Sequence, residues 1–229
     1  MIEGSAYGIV VAAGRSERMG GADKVFAQLA GRPLLAWSLR AFKMCEAIEG
    51  VVLVVAPDAV SRAEALVREW RFTNVVAIVP GGAQRQDSVR AGIDAARGAA
   101  IVAVHDGARP LVTPDLIERG VALARAYGAA VCAAPSRDTV KQAYGDPPVV
   151  RATLERSAAW LAQTPQVFDR DLLLRAHEAA TSNVTDDAAL VEALGHDVRL
   201  YEGAYWNLKV TAPEDLVVAE ALLRERLTG

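Results

Sequence analysis

The sequence predicts a doubly wound, three-layer α/β fold with a mostly parallel sheet. Short apolar runs of strand length recur between residue 7 and about residue 134. They are continuously apolar, as in strands covered by helices on both faces. Amphipathic segments separate them, which is the alternation of βαβ units. The length of 229 residues and the hydrophobic share of 52% suit one domain with a full core.

Five runs are the predicted strands of this sheet. They lie at residues 9–13, 51–56, 75–79, 101–104 and 129–133. The helices predicted between them lie at residues 34–42, 58–70, 87–97 and 114–127. The last helix has the clearest limits, because Thr113 is a typical N-cap, Pro114 suits the first helical position and Gly128 ends the pattern.

After Pro135 the pattern changes. Strand-capable residues 139–143 and 149–154 flank a Tyr-Gly-Asp-Pro-Pro turn signal, which predicts a β-hairpin. A hairpin that leaves a compact domain commonly serves dimerisation or covers a site, so we expect a protruding arm. Helical patterns return further on, and one more strand precedes a last helix. These elements are predicted at residues 169–180, 186–194, 198–201 and 213–227.

Composition excludes several classes of protein. A net charge of −3 leaves no broad basic surface for nucleic acid. The longest apolar runs are about six residues, against about 18 for a membrane span. No basic segment followed by an apolar one opens the chain, and Cys45 and Cys132 have the pattern of reduced, buried thiols. We therefore expect a cytoplasmic protein with neither a membrane nor a nucleic-acid partner.

A glycine-containing loop follows the first predicted strand, at residues 12–24. Phosphates bind at this place in such sheets, because small residues let backbone N–H groups approach an anion. Dinucleotide and Walker patterns both fail, since Ser16 and Met19 stand where each needs a further glycine after Gly14. The loop contains three cations, Arg15, Arg18 and Lys24. They are either phosphate ligands or ordinary surface residues, and the pattern leaves both interpretations open.

Polar residues also stand at other strand ends and before the last helix. Gly82 permits close ligand approach, and Ser88 is either a ligand contact or a helix cap. Asp106 could hold Mg²⁺ that bridges phosphates, or it could form a surface turn. Lys209 alternates with apolar neighbours and points either into a cleft or into water. The three histidines lack metal-ligand spacing, which argues against structural zinc.

Seven short blocks in a fixed order are more specific than any one of them. They are Ala12-Ala13-Gly14 with Arg18 and Lys24; Gly81-Gly82 with Arg85 and Ser88; His105-Asp106 with Arg109; Arg137-Asp138-Thr139; Thr164-Pro165-Gln166; Thr185-Asp186-Asp187; and Lys209-Val210-Thr211. Together they resemble the 2-C-methyl-D-erythritol 4-phosphate cytidylyltransferase family over essentially the whole chain. The resemblance implies a Rossmann-like nucleotidyltransferase fold in a single domain, residues 1–229, with a dimerisation arm at 137–163.

The resemblance also implies a reaction. CTP and 2-C-methyl-D-erythritol 4-phosphate would give 4-diphosphocytidyl-2-C-methyl-D-erythritol and pyrophosphate with Mg²⁺, in the synthesis of isoprenoid precursors. Catalysis of this kind is alignment and charge stabilisation. Two alternatives stay open: a cytidylyltransferase for ribitol phosphate or another sugar-alcohol phosphate, and a nucleotide-binding module without turnover.

Residue roles follow from the same resemblance. Residues implied as catalytic are Arg18, Lys24 and Lys209. Residues implied to bind cytosine, mostly through the backbone, are Ala12, Ala13, Gly14, Gly82 and Ser88. Asp106 would contact ribose or Mg²⁺. Residues implied to line the acceptor site are Arg109, Thr139, Arg156, Thr164 and Thr185. In the family the arm crosses to a partner, so Thr139 and Arg156 would act in trans in a homodimer.

Overall fold

The computed structural model describes residues 1–14 and 24–228. Its strands are β1 (Ala6–Ala12), β2 (Gln28–Leu29), β3 (Arg32–Pro33), β4 (Gly50–Val55), β5 (Val75–Pro80), β6 (Ile101–Asp106), β7 (Ala129–Pro135), β8 (Lys141–Tyr144), β9 (Val149–Thr153), β10 (Trp160–Asp169) and β11 (Arg199–Glu202). Its α-helices are α1 (Leu34–Met44), α2 (Val60–Glu69), α3 (Arg85–Ala95), α4 (Pro114–Tyr127), α5 (Arg170–Ala179), α6 (Asp187–Ala193) and α7 (Pro213–Thr228).

Within the described residues the central sheet has seven strands, in the order β11-β7-β10-β6-β1-β4-β5. All neighbouring pairs are parallel except those of β10, which runs antiparallel to β6 and β7. The start of β10 therefore lies at the same edge of the sheet as the carboxyl ends of the parallel strands. Ligands of open α/β sheets bind at that edge.

Helices cover both faces of this sheet. Strand residues alternate between the faces, so Val10 belongs to the core that includes α1, α2 and α4, while its neighbour Ile9 belongs to the core that includes α3, α5 and α6. All six residues of β4 are buried. The continuous apolarity of the predicted strands thus has the expected cause, and the three-layer α/β fold with a mostly parallel sheet is confirmed.

Helix α4 begins and ends as predicted. The Thr113 hydroxyl accepts a hydrogen bond from the backbone N–H of Leu116 at 3.4 Å, and Pro114 occupies the first turn. Gly128 follows the helix with a φ of +86°, a conformation that favours glycine. Among the described residues no helix has the length and apolarity to cross a membrane.

Strands β8 and β9 form the predicted hairpin, and they pair antiparallel with Gly145 in the turn. Every residue of β8 is exposed. The chain returns from this arm into β10, where Trp160 pairs with Pro135 of β7. Residues 160–163, at the end of the predicted arm, therefore belong to the central sheet. The sequence patterns did not predict β10 as a strand.

Candidate active site

A cavity of about 540 Å³ opens at the carboxyl edge of the sheet. It is lined by residues that follow β1, β4, β5 and β6, together with the start of α3 and the segment before α7. Eight of the predicted site residues contribute to its wall: Ala12, Ala13, Gly14, Lys24, Gly82, Ser88, Asp106 and Lys209. The fold thus brings together residues from distant parts of the sequence.

One wall of the cavity consists of backbone in close contact. A Cβ atom at Gly81 would lie 2.4 Å from the Cβ of Ala13, and one at Gly82 would lie 2.3 Å from the Cβ of Asp87. Neither distance occurs between real side chains, so both positions require glycine. A wall without side chains exposes backbone N–H and C=O groups, which can recognise the edge of a flat heterocycle.

Ser88 fixes this wall from inside. Its hydroxyl accepts a hydrogen bond from the N–H of Gly82 at 3.2 Å and donates to the carbonyl of Gln84 at 3.1 Å. The backbone N–H of Gln84 donates in turn to the carboxylate of Asp87 at 3.0 Å, as in a capping box. These hydrogen bonds fix the start of α3 beside the cavity. The predicted contact between Ser88 and a base stays a prediction.

Asp106, the last residue of β6, is the centre of a charge cluster. Its carboxylate lies 2.9 Å from Lys209 Nζ, 3.4 Å from Arg85 Nε and 3.7 Å from Arg109 Nε. Burial alone would raise the pKa of Asp106, but Lys209, Arg85 and Arg109 outweigh it and hold that pKa well below its usual range. The carboxylate is ionised at neutral pH and orients three cations around the cavity.

Arg85 connects this cluster to a second buried carboxylate. Its Nη1 donates to Asp187 Oδ2 at 2.7 Å, and the side chain of Asp187 is only 1% exposed. The cap of α6 is the neighbouring Asp186, which accepts from the N–H of Ala189 at 3.2 Å. Asp187 is therefore free to pair with Arg85, and the pair fixes a guanidinium group in the wall of the cavity.

A hydrogen-bond chain supports Asp106 from below. The backbone N–H of Asp106 donates to the hydroxyl of Thr164 at 3.1 Å, and that hydroxyl lies 3.0 Å from Nδ1 of His105. Nε2 of His105 lies 3.2 Å from the carbonyl of Arg109, which can only accept, so Nε2 carries the hydrogen. Burial lowers the pKa of His105 to about 4, and its ring is therefore neutral. Thr164 consequently donates to Nδ1.

The other predicted residues occupy different places. Arg18, like Arg15, lies outside the described residues. Thr139 and Arg156 lie on the exposed arm, and Thr185 is exposed before α6. Thr164 is buried beneath Asp106 and does not line the cavity, while Arg109 lies beside Asp106 and donates to the carbonyl of Asn207 at 2.8 Å. The predicted roles of these residues in acceptor binding stay predictions.

Two residues of this site had no role assigned from the sequence. Arg85 stood in a motif without a stated function, and Asp187 was attributed to the start of a helix. Their ion pair joins positions 102 residues apart. A charged pair at that separation leaves no local signal, because only the packing of α6 against the sheet brings the groups together.

The chain is similar to proteins of known name over most of its length. Residues 7–225 match the family model described as 2-C-methyl-D-erythritol 4-phosphate cytidylyltransferase. A protein of that name from Pelotomaculum thermopropionicum is 47% identical over 224 residues, which cover 95% of this chain and 94% of the relative. One from Dehalococcoides mccartyi is 45% identical over 217 residues, 95% of each chain. A bifunctional enzyme IspD/IspF from Desulforudis audaxviator is 51% identical, and the match covers 94% of this chain but 56% of that protein.

Solved structures of similarly named proteins have the same fold as this chain. A 4-diphosphocytidyl-2C-methyl-D-erythritol synthase from Anaerococcus prevotii superposes with a TM-score of 0.84 at 28% identity and covers 96% of both chains. A 2-C-methyl-D-erythritol 4-phosphate cytidylyltransferase from Thermus thermophilus has a TM-score of 0.78 at 36% identity, over 94% of this chain and 98% of that one. The chain therefore belongs to the 2-C-methyl-D-erythritol 4-phosphate cytidylyltransferase family, and it is a nucleotidyltransferase.

Proposed function

We infer that this chain transfers the cytidylyl group of CTP to 2-C-methyl-D-erythritol 4-phosphate and so serves isoprenoid biosynthesis. The products are 4-diphosphocytidyl-2-C-methyl-D-erythritol and pyrophosphate. The observation that carries this inference is the cavity at the carboxyl edge of the sheet, where Lys24, Lys209 and Arg85 meet a glycine-lined wall. Relatives at 40–47% identity are named for this acceptor, which favours it over ribitol phosphate.

The proposed step is an in-line displacement at phosphorus. An oxygen of the acceptor phosphate bonds to the α-phosphorus of CTP, and the bond from that phosphorus to the bridging oxygen of pyrophosphate breaks. No covalent intermediate with the protein is needed, so the protein aligns the two anions and neutralises their charge. Lys24 and Lys209 line the cavity and are placed to do so. We assign the same role to Arg18 by family resemblance.

Lys209 is well suited to follow charge as it develops. Its ammonium group is 2.9 Å from Asp106, and its side chain remains 38% exposed toward the cavity. An ammonium group on a flexible stem can shift from the carboxylate to a nearby phosphate oxygen without leaving the site. Asp106 keeps it pointing into the cavity before the substrates arrive. The glycine-lined wall of Ala12, Ala13, Gly14 and Gly82 is assigned to the base.

We propose Mg²⁺ as the cofactor, with Asp106 as its protein ligand. The donor set fits a metal held mainly by the nucleotide, because Mg²⁺ is commonly bound by one or two carboxylates together with substrate phosphates. Asp106 is ionised, faces the cavity and is surrounded by cations that also favour phosphate. Within residues 1–14 and 24–228 no cluster of three metal-binding side chains exists. When bound, Mg²⁺ supplies neutralisation of phosphate charge.

We also propose that two copies associate through the arm. Six apolar side chains at the hairpin and the start of β10 are between 40% and 58% exposed: Tyr144, Val149, Val150, Leu154, Trp160 and Leu161. An apolar patch of this kind marks an interaction surface. In such a dimer Thr139 and Arg156 act in the partner's site. Light scattering of the purified protein tests this association, and a strictly monomeric species would contradict it.

The cytoplasmic location of the protein stays a prediction.

Turnover with a panel of substrates tests the function. Purified protein with Mg²⁺ is given CTP, ATP or UTP, each with 2-C-methyl-D-erythritol 4-phosphate or ribitol phosphate, and pyrophosphate release is measured. We expect release only with CTP and the methylerythritol acceptor. Release with ribitol phosphate alone would favour the alternative acceptor. Binding of CTP by folded protein without release under any condition would indicate a non-catalytic module.

A further inference from the structure

Gln163 is a buried amide at the start of the irregular part of β10, where pairing with β7 shifts between Ala162 and Gln166. Its side chain is bonded to the backbone of Ala204 in both directions. Nε2 donates to the carbonyl of Ala204 at 2.9 Å, and Oε1 accepts from the N–H of Ala204 at 3.4 Å. Because the backbone fixes which group donates, the orientation of the amide is determined.

Asn207 continues this network toward the active site. Its side chain is fully buried, and Nδ2 donates to Oε1 of Gln163 at 3.1 Å and to the carbonyl of Thr164 at 2.9 Å. The carbonyl of Asn207 accepts from Arg109, which also contacts Asp106. Two residues further along the chain is Lys209. The Gln163 amide is thus linked through one side chain to the segment that carries this lysine.

The loop of residues 203–209 is seated closely on Gln163. A Cβ at Gly203 would lie 2.6 Å from both Cys132 Sγ and Gln163 Oε1. The ends of the loop are held by backbone bonds, from Gly203 to Ala133 at 2.7 Å and from Val210 to Ala108 at 2.8 Å. Between these ends the loop has no regular strand or helix. Its buried middle is held by the amide of Gln163 together with the contacts of Asn207 to Thr164 and Arg109, beside a partly exposed contact of Tyr205 with Pro135.

We propose that Gln163 is a positioning residue for Lys209. Its amide gives the loop the backbone hydrogen bonds that a neighbouring strand would otherwise supply. The amide thereby fixes where the ammonium group of Lys209 can reach. The inference rests on the proposed function, because it assigns Gln163 to the transfer reaction through Lys209. Gln163 itself does not line the cavity and is not assigned any contact with substrate.

Steady-state kinetics of Gln163→Met give the first test. Methionine preserves the length of the side chain and removes the amide. We expect kcat to fall by about 10- to 100-fold, because misplacement of a catalytic group by about 1 Å has effects of that size. We expect KM for CTP to stay within about twofold, since the glycine-lined wall is untouched. Gln163→Asn keeps an amide that is one methylene too short, and it serves if the Met variant does not fold.

Tyr201→Phe is the matched control. Tyr201 is buried in β11, shortly before the loop, and its hydroxyl lies 2.9 Å from the carbonyl of Leu116 and 3.3 Å from that of Pro165, both of which accept from it. This variant also loses a buried hydrogen bond, but none that holds the loop. We expect a lower melting temperature with kcat close to that of the wild type. If Tyr201→Phe lowers kcat as much as Gln163→Met, the effect is general destabilisation and the proposal is wrong.

A double-mutant cycle tests whether Gln163 acts through Lys209. In a Lys209→Ala background, Gln163→Met should change kcat by less than about twofold, because the group it positions is already absent. Multiplicative losses would overturn the proposal, since they would indicate a separate structural effect. The cycle is measured at high enzyme concentration, with pyrophosphate release as the readout.

Hydrogen exchange separates this inference from the proposed function. The amides of residues 204–209 should exchange faster in Gln163→Met than in Tyr201→Phe. If the wild-type protein forms no product, the proposed function fails and exchange alone judges the positioning role. Equal exchange rates in the two variants would refute that role whether or not the protein turns over.

Discussion

Replacing the Asp106 carboxylate by an amide tests how much this anion stabilises the three cations around it. Asp106→Asn leaves Lys209, Arg85 and Arg109 facing one another without their shared anion. Loss of one partner of a buried ion pair costs about 3–5 kcal/mol. Arg85 keeps Asp187, and Lys209 is 38% exposed. We therefore expect a smaller loss of about 2–3 kcal/mol, which is about 5–10 °C in melting temperature for a chain of this size.

Thermal unfolding with and without inorganic pyrophosphate measures this effect. The variant should melt earlier than the wild type, but pyrophosphate should raise its melting temperature more, because the freed cations bind the anion. The pKa of Asp106 is depressed in the folded protein, so its contribution to stability is full above the unfolded pKa of about 4 and is lost as pH falls further. The difference between wild type and variant should therefore shrink below about pH 4.

The control is Asp94→Asn, which removes the carboxylate of an exposed pair with Arg90 at 3.2 Å. That change should cost less than about 1 kcal/mol. The proposed charge balance is refuted if Asp106→Asn melts no earlier than Asp94→Asn and gains no more from pyrophosphate. Higher stability of Asp106→Asn would refute it equally, because the carboxylate would then be a net cost.

Three further outcomes are expected. Lys24→Ala and Lys209→Ala should each lower kcat by about 10²- to 10³-fold, whereas the exposed control Lys43→Ala should leave kcat unchanged; near-normal pyrophosphate release would contradict their roles. Gly82→Ala should raise KM for CTP about tenfold because its Cβ displaces the wall; an unchanged KM would contradict a base site there. The pKa of His105 is lowered to about 4, so denaturant unfolding should show about 3 kcal/mol of stability lost between about pH 7 and about pH 4, and His105→Gln should lack that part.

The strands predicted at residues 51–56, 101–104 and 129–133 were correct because burial on both faces left an apolar run there. Strand β10 was missed because its middle, Gln-Thr-Pro-Gln, is polar and places Pro165 inside a central strand of the sheet. Gln163 and Gln166 are nonetheless buried, at 8% and 2% exposure. Their amides are satisfied by Ala204 and by Asp186, far away in sequence. Local pattern cannot distinguish a polar strand with distant partners from a loop.

The site was predictable to the extent that it lies at strand ends. Gly82 lies just after β5, and Asp106 is the last residue of β6. Parallel strands bring their carboxyl ends to one edge of the sheet. Arg85 and Asp187 had no predicted role at the site, because their contact depends on the packing of α6 against the sheet and no local sequence pattern shows it. Thr164 accepts a hydrogen bond from the N–H of Asp106, because the antiparallel direction of β10 brings it beside the end of β6. Its expected contact with the acceptor stays a prediction.

The way the arm joins the sheet makes it separable from the rest of the fold. Its two ends are adjacent, because Pro135 pairs with Trp160 and the N–H of Ser136 donates to the carbonyl of Ala159 at 2.8 Å. A hairpin inserted between hydrogen-bonded neighbours can be lengthened, shortened or exchanged without shifting the register of any sheet strand. The chain can thus vary the part that we assign to the partner's acceptor site while the nucleotide cavity keeps its geometry.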